Sequence, residues 1–205
     1  VMPGMTNAVK MQGGSFTYFI PMYNHIREVY LESKRPVIEV PLKKNGTQFA
    51  MDFAAMEEKM TPEVKTFVMC NPHNPIGRCY TKEEILEAAA FCEKHGLLLI
   101  SDEIHCELVL EGQHTPAFMA SEWTKEHSIT LGSQGKIGNV PGLPLGFAII
   151  PNEELRQELT AATRRKRWEE MMAFQAASDQ LLDATLDLDT ETVADEIEKI
   201  HSSYT

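Results

Sequence analysis

The chain has 205 residues, a length that corresponds to one sizeable domain or to one domain plus a further fragment. Hydrophobic residues make up 43% of the chain and charged residues 24%, so it can bury a core and lacks the composition of a disordered protein. The formal net charge of −11 argues against a general nucleic-acid binder, which needs a basic surface, and against docking on anionic lipid.

Membrane-spanning and secreted proteins are also disfavoured. The sequence has no run of 18 apolar residues, and its first residues lack the basic and apolar regions of a signal peptide. The four cysteines form no C-x-x-C pair and are too sparse for a small disulfide-stabilised domain. We therefore expect a cytoplasmic protein with reduced thiols that binds neither membrane nor nucleic acid.

Five short apolar runs alternate with helical patterns along the chain. A continuous apolar run such as 97–101 is typical of a strand that is buried on both faces of a parallel sheet. Strands that alternate with helices predict an α/β fold, with a mainly parallel sheet sandwiched by helices. The predicted strands cover residues 36–42, 64–70, 97–101, 127–131 and 146–150.

One predicted helix has both of its ends marked in the sequence. Thr81 and Glu84 have the spacing of a capping box, in which each side chain bonds to the backbone of the other residue. Gly96 stands where a glycine commonly ends a helix. The pattern therefore predicts a helix between Thr81 and Gly96.

The last third of the chain predicts further helix. A helix is expected to begin near Asn152 and to run past Leu159, either as far as Leu182 or with a break at the basic run 164–167. The segment after it is acidic, and residues 190–200 have the pattern of one more helix.

Polar side chains follow three successive predicted strands. Asn74, Asp102 and Lys136 each come shortly after the end of one strand, and ligands of open α/β sheets bind beyond these carboxyl ends. A partly desolvated lysine can form a Schiff base, a buried carboxylate can keep a heterocyclic nitrogen protonated, and an amide can donate to a phenolate oxygen. Together these groups suit pyridoxal phosphate, an aldehyde that accepts electrons from carbanions.

Three segments carry a resemblance to a known family: CNPHNPIGR at 70–78, ISDEIH at 100–105 and SQGKIGNVPGL at 133–143. Residues 20–24 and 51–53 add weaker matches. The chain resembles the fold-type I pyridoxal-phosphate enzymes, most closely their carbon–sulfur β-lyase branch (MalY/PatB-like, cystathionine β-lyase), which overlaps the class I and II aminotransferases. The resemblance runs in unbroken order over about residues 1–180 and implies the fold of that family's large domain.

The resemblance implies roles for individual residues around the cofactor ring. Lys136 matches the lysine that forms the Schiff base, and Asp102 matches the carboxylate that pairs with the pyridine nitrogen. Asn74 matches the amide that contacts the 3′-oxygen, and His105 stands where a second side chain approaches that oxygen. Tyr23 matches an aromatic side chain that stacks on the ring. For Tyr23 a place in the core, and for His105 a structural role, are the alternatives.

The resemblance also implies a phosphate site. Gly4, Met5 and Thr6 match a turn whose backbone amides hold the phosphate at a helix N-terminus. Ser133 matches a hydroxyl contact to the same phosphate, with a simple loop residue as the alternative. No metal is expected, because the histidines and cysteines do not have the spacing of a structural zinc site.

The match to the family departs near the lysine. Gly135 stands where the family usually has a serine, and Ile137 and Gly138 replace a threonine and an aromatic residue. Pro144 stands where many aminotransferases have an arginine that binds the phosphate. Since the β-lyase branch often lacks that arginine, Pro144 favours a lyase over a transaminase.

The length of the chain is a further departure. The stretch 3–23 is several residues shorter than the family's helix and strand need, which predicts a truncated first helix. Relative to the family, the chain lacks an N-terminal segment and the small C-terminal domain whose arginine grips the substrate carboxylate. We expect residues 1–180 to form an N-terminally incomplete cofactor-binding domain and residues 181–205 to be an acidic tail that begins the small domain.

Three functions are compatible with these features. The first is a pyridoxal-phosphate-dependent carbon–sulfur β-lyase acting on cystathionine or cysteine-type amino acids, and the second is a class I or II aminotransferase. The third is a truncated, catalytically incompetent remnant or interaction module. For the enzymes, the resemblance implies an amino-acid substrate and a homodimer.

Overall fold

The structure, a computed structural model, describes residues 2–140, 146–186, 198–199 and 202. It contains two compact units, Val1–Leu159 and Thr160–Thr205. The functional division near residue 180 stays a prediction. No helix in the described part of the chain is long and apolar enough to cross a membrane.

The first unit is built on a six-stranded sheet. Each of the five predicted strands is present to within about two residues at either end. The strands in chain order are β1 (Ser15–Ile20), β2 (Val37–Pro41), β3 (Lys43–Asn45), β4 (Gln48–Ala50), β5 (Val64–Cys70), β6 (Leu98–Asp102), β7 (Ser128–Ser133) and β8 (Gly146–Ile149).

The sheet is mainly parallel, as the sequence predicts. Its strand order is β2-β1-β5-β6-β7-β8, and only the pairing of β8 with β7 is antiparallel. Strands β3 and β4 form a separate hairpin, and only Leu42 lies between β2 and β3. In contrast to the central strands, β8 is exposed along its whole length.

Helices pack against both faces of the sheet. In α4 the capping box forms as predicted, with Thr81 and Glu84 each bonded to the other's backbone, and Gly96 ends the helix in the left-handed conformation. The helices are α1 (Met2–Gln12), α2 (Ile26–Ser33), α3 (Phe53–Glu57), α4 (Lys82–His95), α5 (Glu122–His127) and α6 (Glu153–Leu186).

Two hydrophobic clusters, one on each face, hold the layers together. Because successive side chains of a strand point to opposite faces, Phe67 belongs to one cluster and its neighbour Val68 to the other. Residues of α3 and α4 complete the first cluster, and residues of α1, α2 and the start of α6 complete the second. This arrangement confirms the predicted α/β fold with a sheet sandwiched by helices.

The resemblance implies a helix and a strand within residues 3–23, and the expected truncation of that helix relative to the family stays a prediction. Both elements are present, as the 11-residue helix α1 and the 6-residue strand β1. They fit because Gly13 and Gly14 reverse the chain in two residues, with φ angles of 70° and 61°. A Cβ on Gly14 would lie 2.2 Å from the carbonyl oxygen of Glu63, so only glycine allows this close connection.

The described part of the second unit consists mainly of the continuation of α6, which extends to Leu186. The helix passes through the basic run 164–167 without the break that the sequence left open. Of the helix predicted at 190–200, only residues 198–199 are described, and they are helical.

Candidate active site

The carboxyl ends of four parallel strands lie side by side at one edge of the sheet. Cys70 at the end of β5 pairs with Asp102 at the end of β6, and Asp102 pairs with Leu131 in β7. Strand β1 lies on the other side of β5. From β1 the chain adds β2 on one side of the sheet, whereas β5, β6 and β7 are added on the other side. Such a reversal of strand order leaves a crevice, which is expected here between the ends of β1 and β5.

A small cleft is present at this position. Asp102 and Cys70 line it from the sheet, and Tyr23 lines it from the segment that follows β1. The remaining lining is apolar and includes Met22 and Met5. Two of the predicted ring-binding residues, Asp102 and Tyr23, therefore face the same cleft.

Asp102 is a buried carboxylate with few partners. Its side chain accepts a hydrogen bond from the Ile104 N–H at 3.2 Å, the one hydrogen bond to this carboxylate among the described residues. Burial raises the pKa of Asp102 to about 6, while the nearby positive charge of Lys136 acts in the opposite direction. The carboxylate is thus available to a cationic partner in the cleft.

Tyr23 is 39% exposed and does not belong to the core. Its ring stacks on that of His25, with centroids 4.9 Å apart. The core alternative for Tyr23 is therefore wrong, and its aromatic face is at the surface of the cleft.

Asn74 is half-buried in a tight turn that follows β5. The turn is closed by the Gly77 N–H, which donates to the His73 carbonyl at 2.9 Å, and by the His73 N–H, which donates to the Arg78 carbonyl at 2.8 Å. The peptide bond from Asn74 to Pro75 is cis. The turn places Asn74 at the same edge of the sheet as Asp102.

Below this turn lies a buried polar network that sequence reasoning missed. The Tyr80 N–H donates to the side-chain oxygen of Asn71, and the Tyr80 hydroxyl lies 2.8 Å from Nδ1 of His73. The other ring nitrogen of His73 lies 2.8 Å from the carbonyl oxygen of Pro21. Asn71 and His73 lie in the same segment, 70–78, as Asn74. They differ from Asn74 in being fully buried, which the sequence does not show.

Glu103 is a second buried group that sequence reasoning did not single out. Its Oε1 accepts hydrogen bonds from the Ser101 hydroxyl and from the Ala117 N–H, both at 2.8 Å. Nε2 of His114 lies 3.2 Å from the other oxygen, although without hydrogen-bond geometry. Glu103 therefore holds the loop that follows β6 in place. The sequence signal for this role was the acidic pair at 102–103.

Lys136 lies in an exposed turn beyond β7, not in the partly desolvated pocket that the sequence suggested. Backbone hydrogen bonds from Gly138 to Gln134 and from Val140 to Gly135 form this turn. Lys136 is nevertheless close enough to the other groups to affect them, since its charge lowers the pKa of both Asp102 and His105.

His105 is half-buried, and burial is the main cause of its lowered pKa, with the charge of Lys136 second. It directly precedes a short helical turn at Cys106–Leu108. His105 and Asp102 thus lie three residues apart at and after the end of β6, and the charge of Lys136 influences the pKa of each less than burial does.

The predicted phosphate residues meet at the end of β7. Gly4 lies in the first turn of α1, where N–H groups have no partner within the helix, and a Cβ on it would be 3.5 Å from Leu131. Met5 and Thr6 are already inside the helix, with buried side chains, so the turn expected at these residues is the helix itself. Ser133 ends β7 and accepts a hydrogen bond from the Gly135 N–H.

Two further predictions concern Pro144 and the absence of a metal site. Pro144 lies outside the described residues. Within the described ranges no three histidine, cysteine or acidic side chains are grouped so that they could hold a metal ion.

Known proteins with similar sequences and structures are pyridoxal-phosphate-fold enzymes. The chain is 32% identical over 181 residues to cystathionine beta-lyase PatB of Bacillus subtilis (strain 168), covering 84% of this chain and 47% of PatB. It is 28% identical over 153 residues to human kynurenine–oxoglutarate transaminase 3, covering 71% of this chain and 34% of that protein. The chain thus spans about half the length of these relatives or less.

A solved structure has the same fold. Cystalysin from Treponema denticola, whose crystal structure contains pyridoxal 5′-phosphate, superposes with a TM-score of 0.74 at 28% identity, covering 78% of this chain and 42% of cystalysin. The model of the family "Aminotransferase class I and II" matches residues 5–204. The chain therefore belongs to the class I and II aminotransferase family, which includes transaminases and carbon–sulfur lyases.

Proposed function

We propose that the chain is the cofactor-binding part of a pyridoxal-phosphate-dependent carbon–sulfur β-lyase that acts on cystathionine or cysteine-type amino acids. The observation that carries the proposal is the buried Asp102 carboxylate, which faces the cleft beside Tyr23 within the influence of the Lys136 charge.

The residues present fit pyridoxal phosphate. A flat cationic ring needs an anionic partner at its nitrogen, and Asp102 offers a buried carboxylate that accepts only one hydrogen bond from the described residues. A phosphate group needs N–H donors, and the first turn of α1, which lies against Leu131 of β7, offers that of Gly4. The cleft itself has an open volume of only about 10 Å³, so the ring would lie over its mouth and meet part of its apolar wall.

Each residue has a role in this proposal. The Asp102 carboxylate accepts a hydrogen bond from the protonated ring nitrogen and keeps that nitrogen cationic. Tyr23 stacks on the ring and keeps water from one of its faces. Asn74 donates its amide N–H to the 3′-oxygen, and His105 approaches the same oxygen. Gly4, in the first turn of α1, and Ser133 orient the phosphate. Bound pyridoxal phosphate supplies an electron sink for the carbanion that forms at the substrate Cα.

Lys136 has two tasks. Its amine would hold the cofactor through its aldehyde carbon, and once the substrate amine had taken that place, Nζ could accept the proton from the substrate Cα. In a lyase, the thiolate would leave from Cβ and take up a proton, and water would hydrolyse the remaining imine to pyruvate and ammonia.

A transaminase is the second candidate. The similarity to kynurenine–oxoglutarate transaminase 3 favours it, since the same Asp102 and Lys136 would serve both reactions. The similarity to PatB covers more of this chain and has the higher identity, which favours the lyase.

Covalent attachment of the cofactor is the first test. The purified chain is mixed with pyridoxal phosphate, its visible spectrum is recorded, the adduct is reduced with borohydride, and the labelled peptide is mapped. We expect a yellow complex and a label on Lys136 that is absent from Lys136→Ala. The matched control is Lys82→Ala, which removes an exposed lysine at the start of α4 and should label normally.

The outcomes separate the three candidates. Label that is absent, or scattered over surface lysines, would contradict the cofactor role and leave a folded remnant or interaction module. If Lys136 is labelled, pyruvate release from cystathionine identifies a lyase, and amino-group transfer to a 2-oxo acid identifies a transaminase.

A further inference from the structure

His73 occupies a position that neither the resemblance nor the proposed chemistry uses. Its side chain is 2% exposed, and it lies between the end of β1 and the turn that carries Asn74. Its Nε2 lies 2.8 Å from the Pro21 carbonyl oxygen, and its Nδ1 lies 2.8 Å from the Tyr80 hydroxyl. One ring therefore contacts two segments that are 52 and 7 residues away in sequence.

The partners of His73 determine which nitrogen carries the proton. A carbonyl oxygen can only accept, so Nε2 must donate its N–H to Pro21. In a neutral ring Nδ1 is then the acceptor, and the Tyr80 hydroxyl donates to it. Burial favours this neutral form, because it lowers the pKa of His73 and raises that of Tyr80.

The network continues from Tyr80 to the strand that bears Asp102. The Tyr80 N–H donates to Asn71 Oδ1 at 2.8 Å, and the Asn71 N–H donates to the Asp102 carbonyl at 2.9 Å. Tyr80 is itself 1% exposed, and the Arg78 guanidinium lies 5.0 Å above its ring. An unbroken series of hydrogen bonds therefore runs from Pro21 to Asp102.

We propose that His73 and Tyr80 are positioning residues that fix the segment following β1, which carries Tyr23, against the turn that carries Asn74. Tyr23 follows Pro21 by two residues, and Asn74 follows His73 directly. The two segments come from different parts of the chain, and His73 joins them by a side-chain hydrogen bond within the buried layer. The consequence for cofactor binding rests on the proposed function, whereas the bridge itself does not.

Two substitutions at His73 each keep one of its two side-chain hydrogen bonds and remove the other. The amide of His73→Gln can place a donor where Nε2 stands, which keeps the bond to Pro21. The amide of His73→Asn can place an acceptor where Nδ1 stands, which keeps the bond from Tyr80 and loses the one to Pro21. We expect His73→Gln, which loses only the bond from Tyr80, to bind pyridoxal phosphate about threefold more weakly, and His73→Asn, which loses the bond to Pro21, to bind about tenfold more weakly, a loss of about 1.4 kcal/mol.

A second pair controls for loss of a buried hydroxyl. Tyr80→Phe removes the donor to His73, whereas Tyr18→Phe removes an equally buried hydroxyl that donates to Glu39 on β2. We expect only Tyr80→Phe to weaken pyridoxal-phosphate binding, by about threefold to tenfold. Equal effects of His73→Gln and His73→Asn, or of the two tyrosine variants, would overturn the proposal and leave a purely structural role.

Two measurements without cofactor keep the bridge testable if the unmodified chain binds no pyridoxal phosphate. Long-range ¹H–¹⁵N spectra of the histidine rings should show one buried ring with its proton on Nε2, and a proton on Nδ1 or a doubly protonated ring would overturn the assignment. Hydrogen exchange followed by mass spectrometry should be faster over residues 20–26 in His73→Asn than in His73→Gln. Equal exchange in both variants would contradict the bridge.

Discussion

The residues that follow β5 and β6 are built differently from those that follow β7, although the three strands are parallel neighbours in one sheet. We call these segments the strand exits. At the β5 and β6 exits, Asn71, His73 and Glu103 are buried and hold their loops by side-chain hydrogen bonds. At the β7 exit, backbone bonds form the turn around Lys136, and Lys136 is exposed.

The difference follows from what each exit must do in the proposed function. Asp102 and Asn74 must meet the cofactor in a fixed orientation, so rigid exits remove the entropic cost of ordering them on binding. The amine of Lys136 must bond to the cofactor, leave it and carry a proton, which requires freedom of movement. The two kinds of exit should therefore respond differently to substitution.

The largest effect is expected at the β6 exit, from Glu103→Ala. The substitution leaves the Ser101 hydroxyl and the Ala117 N–H buried without their acceptor and should lower the free energy of unfolding by about 3 kcal/mol. Urea unfolding would measure it, with Glu107→Ala, at an exposed neighbouring position, as the control within about 0.5 kcal/mol of the unmodified chain. Equal stability of the two variants would show that the β6 exit is not held by its side chains.

Asp102→Asn should raise the free energy of unfolding, whereas Glu103→Ala lowers it. Burial raises the pKa of Asp102 to about 6, above its ordinary value of 3.8. As pH rises from about 4 to 6 the unfolded chain therefore loses this proton before the folded chain does, and stability falls. Above pH 6 the full cost is present, so in the cofactor-free chain Asp102→Asn should raise the free energy of unfolding by about 2 kcal/mol at pH 8 and by little at pH 4.

The control for Asp102→Asn is Asp52→Asn. Asp52 caps α3 by accepting a hydrogen bond from the Ala55 N–H, and asparagine caps helices equally well. This variant should therefore have nearly unchanged stability at both pH values. A gain from Asp102→Asn that is the same at pH 4 and pH 8 would show that the buried charge is not its cause.

The two kinds of exit also differ in how far the sequence reveals them. Asn74, Asp102 and Lys136 can be found because each follows a strand whose apolar run is legible. The joining role of His73 cannot be found, because its partner Pro21 is 52 residues away and directly follows β1, a strand that the apolar-run pattern missed. The exposure of Lys136 also escapes prediction, since Gly135 and Gly138 describe a turn but not the depth at which it lies.

The same limit applies to α1 and β1. Counting residues in 3–23 leaves little chain for a helix and a strand, and two glycines in the left-handed conformation join an 11-residue helix to a 6-residue strand within it. The space that makes this possible is set by Glu63 on a distant segment, so the local sequence does not contain it. The fold class is legible because it depends on the periodicity of individual elements, which is local.

The smallest change in stability is expected from Lys136→Ala. Because the side chain is exposed on a turn formed by backbone bonds, the free energy of unfolding of the cofactor-free chain should change by less than about 0.5 kcal/mol. With pyridoxal phosphate at 100 times its dissociation constant, the unmodified chain should gain about 2.7 kcal/mol, and Lys136→Ala should gain less at the same concentration.

Hydrogen exchange should slow on binding over residues 134–140 and change little over 71–80, since the second segment is already fixed. Equal slowing of both segments would mean that the β5 exit is also ordered by the ligand, and the contrast between the exits would then not hold.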